Sequence, residues 1–145
     1  IYGALSAGLH AGAIYNTFPG MGGQWMPESV YAMSPFWKNL FENPSAVQFI
    51  HRCMAWTLAA LAAFMLYATV RAKKPFTGML LLCAVTVMQF LLGIFTLLYH
   101  APLILAALHQ AGAFLTLTVA LIAPRLNSIM SRMAASSRCA YPGMQ

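Results

Sequence analysis

Apolar residues run through the chain in long blocks, and the polar stretches between them predict where helices begin and end. The first block, over 1–15, is apolar and small, with Gly3, Gly8 and Gly12 inside it. Fifteen residues of helix reach about 22 Å, against about 30 Å for a bilayer core. The block therefore predicts a transmembrane helix whose beginning is missing, in a chain that is a fragment of something larger. The next block carries no charge from Cys53 to Val70; with its polar lead-in it predicts a helix over 45–71, capped by Ser45 after Pro44. From Pro75 to Pro124, fifty residues pass without Asp, Glu, Lys or Arg. That is too long for one span and right for two with a tight turn. His100, Ala101 and Pro102 mark the turn, which predicts helices over 76–99 and 102–123. The stretch 16–44 predicts a loop, because it holds Pro19, Pro27, Pro35 and Pro44, the glycines at 20, 22 and 23, and both acids, Glu28 and Glu42. Its Trp25, Tyr31, Phe36 and Trp37 are of the aromatic types that collect at a membrane–water boundary. Residues 127–145 are basic and rich in serine, and predict a disordered tail.

Composition turns this pattern into a class. Only 7% of the residues are charged and 61% are hydrophobic, against about 25% charged in an ordinary soluble domain. Too few polar residues exist to cover a soluble surface, which excludes a soluble enzyme, a disordered protein and a nucleic-acid reader. The net charge of +6 comes from cations in a few places, not along one face. The chain is expected to be all-α, an integral membrane four-helix bundle over 1–126 with its first helix truncated, and to lie in a lipid bilayer. Arg71, Lys73 and Lys74 share a side with Arg125, Arg132 and Arg138, since two spans separate the clusters. The excess of cations puts that side in the cytoplasm or mitochondrial matrix, and the aromatic loop on the other. Cys53, Cys83 and Cys139 have no metal-ligand spacing and predict no disulfide framework.

The histidines carry the candidate chemistry. An ionisable side chain inside a span is costly and marks a candidate site. His51 lies twenty residues before Arg71 and His109 sixteen before Arg125, or about 30 Å and about 24 Å along a helix. Both fall in the outer half of the membrane on helices that run the same way. Two neutral imidazoles at one depth on facing helices can be the two axial ligands of a haem iron, with the flat ring in an apolar slot; they can also be plain polar contacts between helices. Around His109, Ala106, Ala107, Ala111, Gly112 and Ala113 let a bulky ring approach, and Gly93 does the same on the middle helix. Arg52, near the outer boundary, is a candidate partner for a haem propionate, or a side chain reaching for lipid headgroups. His100 is expected in the solvated turn. His10, inside the truncated span, is either a polar contact or a proton carrier. Nothing supports a carboxylate-pair mechanism: there is no Asp, and both Glu lie in the loop.

An ordered set of segments resembles haem A synthase, the membrane enzyme family that oxidises a methyl group of haem O. The segments are Gly3 to Leu9, Tyr15 to Pro19 with Met21 and Gly22, Trp25 to Glu28, Phe41 to Asn43, Val47 to Phe49 with His51 and Arg52, Leu92 to Ile94 with Thr96 to Leu98, and Leu108 to Gly112. The likeness covers nearly all of residues 1–121. It implies half of an eight-helix, pseudo-symmetric protein, specifically the carboxy-terminal half, with His51 and His109 as the ligands of a b-type haem. The missing amino-terminal half would hold the substrate haem and a catalytic acid, so this chain alone would not complete the reaction. An electron donor and the enzyme that supplies haem O are the further partners implied. Two departures stand out: Ile50 and His10 occupy positions where the family often has acids. Family members live in the mitochondrial inner membrane or the bacterial plasma membrane, and the serine-rich tail leans toward mitochondria.

Three functions compete on these features. The first is the haem-binding half of a haem A synthase, an oxidoreductase with electrons passing through the haem held by His51 and His109. The second is a small electron-transfer cytochrome with two histidine ligands. The third is a non-catalytic membrane subunit whose histidines are polar contacts.

Overall fold

The computed structural model of the chain describes residues 1–73 and 77–140. Its helices are α1 (Tyr2–Gly8), α2 (Lys38–Phe41), α3 (Pro44–Arg71), α4 (Thr77–Leu98) and α5 (Leu103–Ala140). Short 3-10 turns stand at Ala11–Ala13 and Glu28–Tyr31. The protein is an all-α membrane helical bundle. Three of its helices, α3, α4 and α5, are long and apolar enough to cross a membrane. Large apolar side chains such as Leu58, Phe64, Phe114 and Leu121 face outward along them. In water that arrangement would be unfavourable; in hydrocarbon it is the expected surface.

Asparagine opens α3. The Asn43 side chain accepts from the backbone N–H of Ser45 at 3.0 Å and of Ala46 at 3.4 Å, and Pro44 takes the first helical position. Ser45 was the expected cap. Asn43 takes the role because proline fits the first helical position, whose N–H has no helical partner; the cap then falls one residue earlier.

Two further boundaries correct the sequence reading. The block over 1–15 is not one helix: α1 ends at Gly8, and His10 follows in the left-handed region with φ 49. The glycines at 3, 8 and 12 lower the helical propensity of a block otherwise rich in alanine. At the other end, α5 continues past Ala123 through Pro124 to Ala140, where the expectation was a helix ending at 123 and a disordered tail. Charges mark where hydrocarbon ends, not where a helix ends. Arg, Met and Ala in this stretch favour helix, and one proline removes a single N–H donor. Residues 141–145 of the expected tail, and Lys74, Pro75 and Phe76 of the basic turn, lie outside the described residues.

The loop over 16–44 is packed rather than open. Buried Asn39 accepts at Oδ1 from the N–H of Met33 at 2.9 Å, and its Nδ2 donates to the carbonyls of Met33 and Phe36. Buried Asn43 donates to Ser29 O at 2.6 Å and to Asn39 Oδ1 at 2.8 Å. Two side-chain amides thus satisfy backbone groups that no regular element serves. Trp25, Tyr31, Phe36 and Trp37 remain exposed, as boundary anchors do.

Candidate functional site

α4 packs along α5 and against α3, while α3 and α5 have little direct contact. α4 therefore stands between the two, and His51 of α3 and His109 of α5 approach each other beside it. Their ring centroids are 6.4 Å apart and their planes stand at 89°. Both side chains are half-buried. The two residues that depth alone paired are brought together.

Each ring rests against a glycine. A Cβ on Gly3 of α1 would lie 3.7 Å from Cε1 of His51, in ordinary contact. On Gly93 of α4 it would lie 2.8 Å from Cε1 of His109. The gap at Gly93 thus admits the His109 ring itself. Gln89, one helical turn before Gly93, donates from Nε2 to His109 O at 2.7 Å and lies 3.1 Å from His109 Nδ1.

Arg52 does something other than what its position predicts. Its Nη2 donates to Tyr15 O at 2.9 Å, and its Nη1 to Thr17 O at 2.9 Å, Gly20 O at 3.0 Å and Pro19 O at 3.3 Å. Both terminal nitrogens expected at a haem propionate are engaged by the loop; only Nε is buried without a partner. The physical reason is local. The segment after α1 turns sharply and leaves a row of carbonyls without backbone donors, and a guanidinium with five N–H groups serves them best. Gln48 joins it, donating from Nε2 to Tyr15 O at 3.0 Å. Asn16 ties the same segment to α4, donating to Gly12 O and to Leu97 O of α4, both at 2.9 Å.

Beside the histidines, Trp56 and Phe90 pack edge to face with centroids 4.8 Å apart. Phe18 of the loop stacks on Trp56 at 5.8 Å, which brings the loop down onto the helices. His100 is exposed in the turn, and His10 is exposed beside its own. Neither joins the pair. Among the described residues no group of three or more His, Cys, Asp or Glu side chains converges. The donors brought together here are two imidazoles, His51 and His109, a set that can grip one metal from opposite sides.

Sequence reasoning missed Gln89, Asn16 and the Phe18–Trp56–Phe90 cluster. For Gln89 a signal existed. It is the one amide between Pro75 and His109, and equal counts back from the turn at His100 and Ala101 set it beside 109–112.

Residues 1–121 match the COX15-CtaA family, cytochrome oxidase assembly protein. The chain belongs to that family. It is 44% identical over 119 residues to the heme A synthase of Bartonella bacilliformis, covering 80% of this chain and 33% of that protein. To the heme A synthase of Rhodopseudomonas palustris strain TIE-1 it is 48% identical over 123 residues, covering 81% and 33%. To that of Wolbachia pipientis wMel it is 42% identical over 115 residues, covering 79% and 32%. The chain spans about a third of the length of these curated relatives. No solved structure matches it.

Proposed function

We propose that this chain is the carboxy-terminal, haem-holding half of a haem A synthase, an oxidoreductase acting on a methyl group of haem O. One observation carries the reading: His51 and His109 face each other at 6.4 Å. An imidazole nitrogen sits about 2 Å from a bound transition metal. Adding the short distance from nitrogen to ring centre on each side, two opposed ligands of one iron have centroids about 6 Å apart. The spacing and the carboxylate-free donor set suit a haem, and the resemblance favours a b-type one.

A haem held there supplies a one-electron redox centre. This chain's own residues bind and shelter it. His51 and His109 are the ligands. Gly93 leaves room for the His109 ring, and Gly3 packs against that of His51. Phe18, Trp56 and Phe90 pack the loop onto α3 and α4. Arg52, Gln48 and Asn16 hold the loop in place above them. The oxidation itself is assigned to the amino-terminal half, which on this reading carries the substrate haem. An electron donor and the enzyme supplying haem O are its further partners. Of the two membranes the family implies, the bacterial plasma membrane has the support of the bacterial relatives. The mitochondrial inner membrane has only the serine content of the tail.

The test is a reduced-minus-oxidised spectrum of the full-length protein in membranes. His51→Ala and His109→Ala are each expected to remove the same b-type band. A band that survives either change overturns the ligand pair. Haem A is expected to vanish from cells lacking the gene; unchanged haem A content overturns the synthase reading.

A further inference from the structure

Gln89 of α4 and His109 of α5 interlock through two glycines. The His109 ring sits over Gly93 of α4, and the Gln89 amide sits over Gly112 of α5, where a Cβ would overlap Oε1. Each helix supplies one polar side chain and one gap for the other's. The Gln89 NH2 group is directed at both His109 O and Nδ1, whereas Oε1 is buried with no partner. An imidazole has two ring nitrogens. With Nδ1 turned to Gln89, Nε2 is left over.

We infer that Gln89 is the positioning residue of His109: its amide fixes the ring's rotation and occupies Nδ1, so that Nε2 remains for a haem iron. The inference rests on the proposed function. An amide carries a donor and an acceptor on one planar group. Its NH2 meets a bare Nδ1. That arrangement leaves the proton of a neutral imidazole on Nε2; for Nε2 to hold a metal the proton stands on Nδ1, and the amide turns so that Oε1, now without a partner, accepts it in place of the bond from Nε2 of Gln89 to His109 O. Packing alone gives that buried oxygen no use. Gln110, the neighbour in sequence, is exposed and does not compete for the role.

The test uses the full-length protein loaded with haem and follows the signal that His109→Ala abolishes. Gln89→Glu places an acceptor alone on Nδ1–H, which makes the imidazole more electron-rich; the midpoint potential is expected to move to more negative values. Gln89→Met keeps the length and apolar fit while removing both polar atoms. A high-spin fraction is then expected in the ferric EPR spectrum, with a broadened low-spin signal, because the angle between the imidazole planes is no longer fixed. Gln89→Met suits an apolar bundle and carries the test if the glutamate variant does not accumulate. Unchanged potential and low-spin signal, with altered thermal stability alone, reduce Gln89 to packing and overturn the inference. If His109→Ala abolishes no signal, the ligand reading falls instead, so the two failures are told apart.

Discussion

Gly93 gives the His109 ring its place: a Cβ there would stand 2.8 Å from Cε1, 3.4 Å from Nε2 and 3.5 Å from Nδ1. Contact that close forces a shift, and the ring is the part free to move. Gly93→Ala is therefore expected to displace His109 and weaken haem retention severalfold, and Gly93→Val to abolish it. Gly8→Ala is the control, since nothing lies within 4 Å of its Cβ; it should be neutral or slightly stabilising. Haem-to-protein ratios of the purified variants check this. Equal ratios for Gly93→Ala and Gly8→Ala would show that the ring tolerates the methyl group.

Arg52 spans the gap between α3 and four carbonyls of the loop. A hydrogen bond to a charged group contributes about 1.5–3 kcal/mol when buried, and this one is partly exposed, so Arg52→Ala is expected to cost roughly 2 kcal/mol. Lysine carries the charge without the fork and should recover only part of the loss. Limited proteolysis reads the result, with cleavage over 16–24 rising in Arg52→Ala. Should the loop stay resistant while the haem potential shifts, Arg52 serves the propionate after all.

The helix pattern was legible because hydrocarbon imposes it: charges and prolines mark where lipid ends, which sets α3 and α4. It was silent about α5 beyond Ala123, because a helix does not have to stop where the membrane does. The histidine pair was legible by counting depth from Arg71 and Arg125. Arg52 was not, since a cation at the boundary looks alike whether it faces a propionate, a headgroup or a row of carbonyls. The break after Gly8 coincides with His10 entering the left-handed region, a backbone turn that the hydrophobic pattern does not mark.

Asn43 performs two functions with one amide. Its Oδ1 caps α3 and its Nδ2 holds Ser29 O and Asn39 Oδ1. Loss of a cap costs about 1 kcal/mol, and leaving buried acceptors unpaired costs about 1–3 kcal/mol more. Asn43→Ala is expected to lose the sum, roughly 2–4 kcal/mol, and Asn43→Asp only the part due to Nδ2. Thermal unfolding in detergent orders the three proteins. If aspartate and alanine destabilise equally, the cap contributes nothing.

Gly78 of α4 lies directly against the backbone of α5. Ala123 is fully buried there, and a Cβ on Gly78 would run into the Ala123 carbonyl. The clash is with backbone, so no side chain can swing away. The N–H of Gly78, in the first turn of α4 and without a helical partner, donates to Asn127 Oδ1 at 2.8 Å. Gly78→Ala is expected to separate the helices and lower thermal stability by about 2–3 kcal/mol. Asn127→Ala loses only the acceptor, about 1 kcal/mol. Asn127→Asp keeps the acceptor and sets a negative charge at a helix N-terminus, which is favourable, so it should match or exceed the wild type. The same unfolding experiment decides it: an aspartate variant as weak as the alanine one would mean that Asn127 supports α4 by packing and not through this bond.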